Sequence, residues 1–476
     1  MLVGRIVSVA PEPLALARGL AARGHRNIAL LHAADRAHPG WPAASYLAAD
    51  PDDLCDALDP FTASSNRAPV AFGAGASSIA SGAGGPSIAS GATPGGASPA
   101  HETLVSQPTL LARAPRWIGV VPYEARRELE RPGWRPVDKR PPALLEKPCW
   151  MRFPAVACFD HRTASVLVVG EGERAVDAFA EALRRAETAV KQENLRLVVD
   201  DDEPPERHAE RVAAARELIL AGDLYQVNLA RRLRVTLSEG SPLALYARLS
   251  KAAHAPFGAC IDLGDAAVLS TSPELLLDAE PGLSGRSFSR LATEPIKGTR
   301  PRGAHAEADA ALVRELDADP KERAELAMIV DVERNDLGRV AVTGSVRVTS
   351  PPHVVTHRTV HHRVARVIAR ARPDLSRDEV LRAMLPSGSV TGAPKVRAME
   401  VIASLEAKRR GLYTGGLGFV RHDGGVVLAM AIRTAVLRGD EGEYWTGGGI
   451  VADSDPAREL EETRWKALQL TRAMHG

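Results

Sequence analysis

Lysine is scarce in this chain of 476 residues, with nine lysines among 60 basic side chains and arginine making up the rest. Arginine keeps its proton in proteins, whereas lysine loses it when desolvated or crowded by other cations and then becomes a nucleophile. A chain this rich in arginine does not need lysine for generic positive charge. Cysteine is also sparse. Cys55, Cys149, Cys158 and Cys260 show neither metal-ligand spacing nor a disulfide framework, which argues against a zinc module and fits a reducing cytoplasm. Excess charge of either sign is lacking: 60 basic against 59 acidic side chains leave a net charge of +1. No overall field therefore draws in nucleic acid or an anionic membrane surface. No apolar run approaches the roughly 18 residues of a membrane-crossing helix. The start MLVGRIVSVAPEP lacks a basic segment followed by an apolar one, so neither a membrane span nor a signal peptide is expected.

What is present has the ordinary balance of a globular chain, 45% hydrophobic and 25% charged residues. The length suits two or three domains, or one large interlaced α/β body. Residues 1–60 open as strand (Leu2 to Val9), helix and strand (Ile28 to His32). From Ala71 to Ala100 all but four residues are Gly, Ala, Ser or Pro, and SIASGAG at 78–84 recurs as SIASGAT at 87–93. Such a tract buries too little apolar surface to order itself, so residues 63–102 read as a disordered loop insertion. Strands follow at Ala155 to Asp160 and Ala164 to Val169, then a helix from Arg174 to Lys191. The polar stretch Asp200 to Pro205 marks the best boundary, dividing an N-terminal lobe (1–200) from a second domain (201–476). Beyond it helices alternate with hairpin-like strands, with turns at Asp423-Gly424-Gly425 and Gly439-Asp440. This pattern predicts α+β architecture with large antiparallel sheets.

Three kinds of stretch carry chemistry. Pro295-Ile296-Lys297-Gly298-Thr299-Arg300-Pro301-Arg302 reads as a tight turn presenting one lysine among arginines, whose charge would lower the lysine pKa. Asp319-Pro320 and Asp455-Pro456 each open a short helix, with an aspartate cap and proline in the first turn. Glu322 with Glu325, and Glu459 with Glu462, then lie three apart and share one face of each helix. Two such faces brought together would suit a hard cation such as Mg2+. Taken alone, each of these glutamates is better explained by the helix dipole, which favours acids in the first turn, and Glu322 by its capping-box position. The segments Leu385 to Lys395, Tyr413 to Gly418 and Thr446 to Gly449 are glycine-rich and could let backbone approach a ligand closely. None has P-loop spacing.

Taken in order, seven blocks resemble the chorismate-utilising enzymes from about Glu206 to Ala473. They are GDLYQVNLAR (222–231), TSPELLL (271–277), PIKGTRPRG (295–303), ERAELAMIVDVERNDLGRV (322–340), PSGSVTGAPKVRAMEVI (386–402), YTGGLGFV with AIRTAV (413–420, 431–436) and GGGIVADSDPARELEETRWKA (447–467). The resemblance implies two large antiparallel sheets forming a sandwich wrapped by helices, with chorismate and Mg2+ in a cleft and residues 201–476 as the chorismate-binding catalytic domain. It implies Glu325 and Glu462 as Mg2+ ligands, with Glu322 and Glu459 holding metal-bound water. It assigns substrate contacts to Gln226, Thr299, Ser389, Thr391, Tyr413, Arg433, Gly448, Gly449 and Lys466. It also assigns Lys297 as nucleophile, Glu274 as general acid and His362 a supporting part. Gln226 stands where the isochorismate- and salicylate-forming branches carry a water-activating lysine. Lys297 stands where the anthranilate-forming branch usually has alanine and the aminodeoxychorismate-forming branch its nucleophilic lysine. The N-terminal 200 residues match poorly. The implied reaction takes chorismate and ammonia, the latter from a separate glutamine amidotransferase subunit, to 4-amino-4-deoxychorismate for para-aminobenzoate and folate synthesis. The alternatives are anthranilate formation and a non-catalytic chorismate-binding homologue. The last would have lost one of Lys297, Glu325, Glu462 or Glu274, all of which are present.

Overall fold

Period-two alternation of apolar residues runs along the central strands, and each strand therefore feeds two cores, one on either face of its sheet. In Phe257–Asp262, Cys260 packs on one side while Ala259 and Ile261 pack on the other. In Pro115–Val121, Trp117 and Val121 face away from Ile118 and Val120. The computed structural model describes residues 1–9, 12–33, 44–60, 104–105, 111–125, 138–186 and 193–474. The expected insertion at 63–102 lies outside the described residues.

Among the described residues two antiparallel sheets form, one of 13 strands and one of ten. The core between them includes Leu31, Ile118, Phe153, Ile261, Phe419 and Val436. The outer face of the larger sheet is covered by the helices Pro13–Ala22, Glu173–Ala186, Pro242–Ala253 and Pro456–Met474. The outer face of the smaller sheet is covered by Pro320–Val340 and Arg377–Met384. This is the expected α+β sandwich wrapped by helices. Among the described residues no helix is long and apolar enough to cross a membrane. Strands from both sides of residue 200 pair directly in each sheet: Phe257–Asp262 with Ala29–His32, and Gly416–Arg421 with Pro115–Val121.

Both hairpins read from turn residues form. Gly424 has φ +88°, and Asp423 Oδ1 accepts from Gly425 N at 2.7 Å between Gly416–Arg421 and Val426–Met430. Gly439, at φ +64°, turns Thr434–Arg438 into Glu441–Ile450. Two local expectations need correction. The Lys297 stretch is not a turn but the strand Ile296–Pro301, paired with Val360–Arg370 and interrupted by a bulge between Lys297 and Thr299 at Gly298. The ladder bonds available from that long partner strand overrode the local turn chemistry. The two Asp-Pro helices are not short either; they run 21 and 19 residues, because their apolar positions continue to Val340 and Ala473.

Candidate active site

The helix caps behave as the residue types require. Asp319 Oδ1 accepts from Lys321 N (2.9 Å) and Glu322 N (3.2 Å), and Asp455 Oδ1 from Ala457 N (3.1 Å) and Arg458 N (2.9 Å). These caps set the first turns so that Glu322 lies against the strand carrying Lys297, and Glu459 and Glu462 against Gly448. A Cβ on Gly448 would lie 2.9 Å from Glu459 Oε2 and 3.6 Å from Glu462 Oε1. One on Gly298 would lie 3.0 Å from Glu322 Oε2. Glycine at these positions lets the carboxylates close on the backbone.

Electrostatics join the two helix starts. Burial, then the charge of Glu325, raises the Glu322 pKa, with Arg300 opposing. Burial also raises that of Glu459; Ser454, donating to Oε1 at 2.7 Å, opposes this, while Glu462 adds to it. For Glu462, partial burial is outweighed by Lys466, Lys297 and Lys321, so its pKa falls. Lys466 Nζ donates to Glu462 Oε1 at 2.6 Å and to the Gly447 carbonyl at 2.8 Å, and Lys321 Nζ lies 3.6 Å from Glu325 Oε1. Among the described residues no three His, Cys, Asp or Glu side chains converge as a ready metal cage. The donor set still fits Mg2+ in kind, since that ion takes few protein oxygens, and a divalent cation would relieve the mutual repulsion within each pair.

Lys297 Nζ lies 3.5 Å, and Gln226 Nε2 2.6 Å, from the point where a Cβ on Gly449 would sit. Gln226 is buried, and its Nε2 has no hydrogen-bond partner among the described residues. An orphaned buried donor is costly and points to a ligand acceptor. The arginines expected to crowd Lys297 are tied to acids instead. Arg300 pairs with Glu315 (2.7 Å) and Asp319 (2.9 Å), and Arg302 with Asp309 (2.7 Å). They therefore do not supply the cationic crowding that the sequence suggested.

Glu274 is buried between the strands Ala267–Ser272 and Leu275–Pro281 and accepts from Ser389 Oγ at 3.3 Å. Burial, reinforced by Glu333, pushes its pKa up to about 8, against the pull of Lys297, Ser389 and Arg433. It therefore holds a proton at neutral pH, as a general acid must. Arg433 sits at φ +52°, with its carbonyl accepting from Thr271 N at 3.1 Å. Among the described residues no carboxylate forms a salt bridge with its guanidinium, whose pKa burial lowers. A desolvated arginine without a counter-ion is poised for a ligand carboxylate.

The remaining assignments are placed as follows. Tyr413 stacks on Trp445 with centroids 6.0 Å apart, beneath the Arg410 guanidinium. His362 Nδ1 and Thr299 Oγ1 are 3.0 Å apart. Thr391 Oγ1 donates to the Ser387 carbonyl at 2.8 Å and so holds the glycine-rich loop together. Sequence reasoning missed two buried groups. Arg410 and Glu406 form an ion pair at 2.6 Å, and Arg410 also donates to the carbonyls of Val390 and Asn228, tying loop to strand. Glu333 lies on the apolar stripe of its helix with Leu326, Ile329, Val330 and Leu337. A charge on an apolar stripe was the available signal.

Comparison with known proteins follows this geometry. The family model described as chorismate binding enzyme matches residues 71–472. An aminodeoxychorismate synthase of Streptomyces griseus is 37% identical over 377 residues, covering 75% of this chain and 50% of that protein, so the chain spans half of that relative's length. Anthranilate synthase component 1 of Thermus thermophilus is 38% identical over 369 residues, covering 75% of this chain and 77% of that protein. The crystal structure of anthranilate synthase component I from Streptococcus pneumoniae superposes with a TM-score of 0.64 at 28% identity, over 78% of this chain and 88% of that one.

Proposed function

The chain belongs to the chorismate-binding enzyme family, and we propose that it is the member that converts chorismate and ammonia to 4-amino-4-deoxychorismate. One observation supports this reading: Lys297 interacts electrostatically with the buried Glu274, and its amine shares the space beside Gly449 with the Gln226 amide. The neutral amine of Lys297 attacks C2 of chorismate, both ring double bonds shift (C1=C2 to C1=C6 and C5=C6 to C4=C5), and the C4 hydroxyl departs as water with a proton from Glu274. Ammonia then attacks C4 and expels the lysine amine from C2. The new C4 ammonium returns a proton to Glu274, and the enolpyruvyl group is retained. Arg433 grips a substrate carboxylate, and the Gln226 amide donates to a substrate oxygen.

Mg2+ held by Glu325 and Glu462, with Glu322 and Glu459 supporting its bound water, would neutralise the ring carboxylate. Lys466 keeps Glu462 ionised for that purpose. Ammonia would come from a glutamine amidotransferase, since none of this chain's cysteines stands in a Gly-x-Cys-x-Gly turn. Para-aminobenzoate and folate synthesis are the destination of the product.

The test is product analysis with chorismate, Mg2+ and ammonium, with and without an added pyruvate-releasing lyase. Aminodeoxychorismate alone, converted to para-aminobenzoate only when the lyase is present, is the expected result. Fluorescent anthranilate would replace this reading with the one that several relatives' names suggest.

A further inference from the structure

Glu274 does not face the protein alone. Its Oε1 accepts from Ser389 Oγ at 3.3 Å, Ser389 Oγ lies 2.9 Å from Ser387 Oγ, and Ser387 Oγ donates to Glu333 Oε1. All four side chains are buried, and Glu333 is 1% exposed. They come from three separate elements: the link between the strands, the glycine-rich loop and the Pro320–Val340 helix. The second oxygen of Glu333 has no hydrogen-bond partner among the described residues. With one oxygen unpaired at 1% exposure a charged Glu333 would be costly, so the site favours its protonated form.

We propose that Glu333 is a proton store for Glu274: both carboxyls start protonated, and the proton on Glu333 reaches Glu274 through the hydroxyls of Ser387 and Ser389 once Glu274 has spent its own. This rests on the reading of Glu274 as the acid that protonates the departing hydroxyl. When Glu274 has given up its proton, Ser389 donates to it, Ser387 donates to Ser389, and Glu333 gives its proton to Ser387. Each hydroxyl breaks one O–H bond and forms another, and the only net change is one proton moved from Glu333 to Glu274. The reverse shift resets the chain when the C4 ammonium releases its proton. Each hydroxyl has one hydrogen; with Ser389 donating to Glu274 and Ser387 to Glu333, Ser387 must turn toward Ser389 before the chain conducts.

The surroundings suit this use. Burial, then the charge of Asp336, raises the Glu333 pKa, while Ser387, Lys395 and Thr293 oppose. Asp336 is itself held by Lys395 Nζ at 2.8 Å and by Arg339 at 3.1 Å, and Lys395 also donates to the carbonyls of Pro386 and Ala383. Lys297 and Arg433 face the other end, at Glu274. The proton is thus kept between two acids, with cations outside both ends.

The test is the pH profile of kcat and of kcat/KM, measured with saturating Mg2+ and constant free ammonia at each pH. Wild type is compared with Glu333→Gln and Ser387→Ala. Glu333→Gln removes the stored proton and the negative charge that Glu333 carries once it has released it, so the alkaline limb should move down by about half a pH unit or more. Ser387→Ala leaves both carboxyls but cuts the chain; kcat should fall several-fold on the alkaline side with KM for chorismate unchanged. A purely structural Glu333 would lower kcat by one factor at every pH and leave the limb in place, and that result overturns the proposal. So does a Ser387→Ala enzyme as fast as wild type. Anthranilate as the wild-type product would displace the proposed product without touching this test, because the limb belongs to Glu274 in either reaction. A fully active Glu274→Gln would overturn both.

Discussion

Gln226 Nε2 stands 2.6 Å from the position that a Cβ on Gly449 would occupy, so the smallest added side chain at 449 must displace the amide. The space at Gly449 is thereby reserved for the orphaned donor and for the Lys297 amine beside it. Gly449→Ala should cost about 1 to 3 kcal/mol of stability through overpacking. Its larger effect should be on kcat/KM for chorismate, a tenfold loss or more by steady-state assay. A variant with normal kinetics would mean that the Gln226 amide takes no part in binding.

Lys297 separates covalent attack at C2 from direct attack by ammonia. With chorismate and Mg2+ but no ammonia, intact-protein mass spectrometry should show an added mass equal to chorismate less water. Lys297→Arg should be as inactive in aminodeoxychorismate formation as Lys297→Ala, since guanidinium keeps the charge but not the nucleophile. An active arginine variant together with an unmodified wild type would return Lys297 to a positively charged strand residue.

Glu325→Gln and Glu462→Gln should abolish Mg2+-dependent turnover while the protein stays folded by circular dichroism. Glu322→Gln and Glu459→Gln should be milder, being assigned to metal-bound water. Equal losses at all four positions would show that the two pairs do not divide the task in this way.

The raised pKa of Glu274 gives a pH dependence with a definite sign. The folded state holds a proton between 4.5 and about 8 that the unfolded state has released. This group's contribution to stability is therefore fully present below 4.5 and is lost as pH rises through about 8. Glu274→Gln should remove that slope, so its Tm relative to wild type should climb across this window. Activity that needs the acid form should likewise fall above about 8. A Tm difference independent of pH would place the Glu274 pKa in the ordinary carboxylate range.

Glu406 and Arg410 are both buried, and Arg410 links the glycine-rich loop to the strand Gln226–Glu239. Glu406→Ala strands the guanidinium in the interior and should destabilise by about 3 to 5 kcal/mol in denaturant titration. A change under about 1 kcal/mol would mean that the remaining carbonyl partners satisfy Arg410 by themselves.

Sequence alone determined the features set by local energetics. The aspartate caps, the two glycine hairpin turns, the alternation of the sheet strands and the α+β class could all be read directly, because each depends on residues a few positions apart. The seven blocks identified the family for a related reason, since chemistry at a cleft restricts residue type position by position. Tertiary structure alone decided the rest. Lys297 lies in a strand because Val360–Arg370 offers it ladder bonds, and its neighbouring arginines are neutralised by helices that begin downstream. Glu274 is a poised acid only because the fold takes it out of water near the charge of Glu333, against the opposing bond from Ser389, 115 positions away. Desolvation and like-charge repulsion are properties of an assembled interior, and no window of sequence contains them.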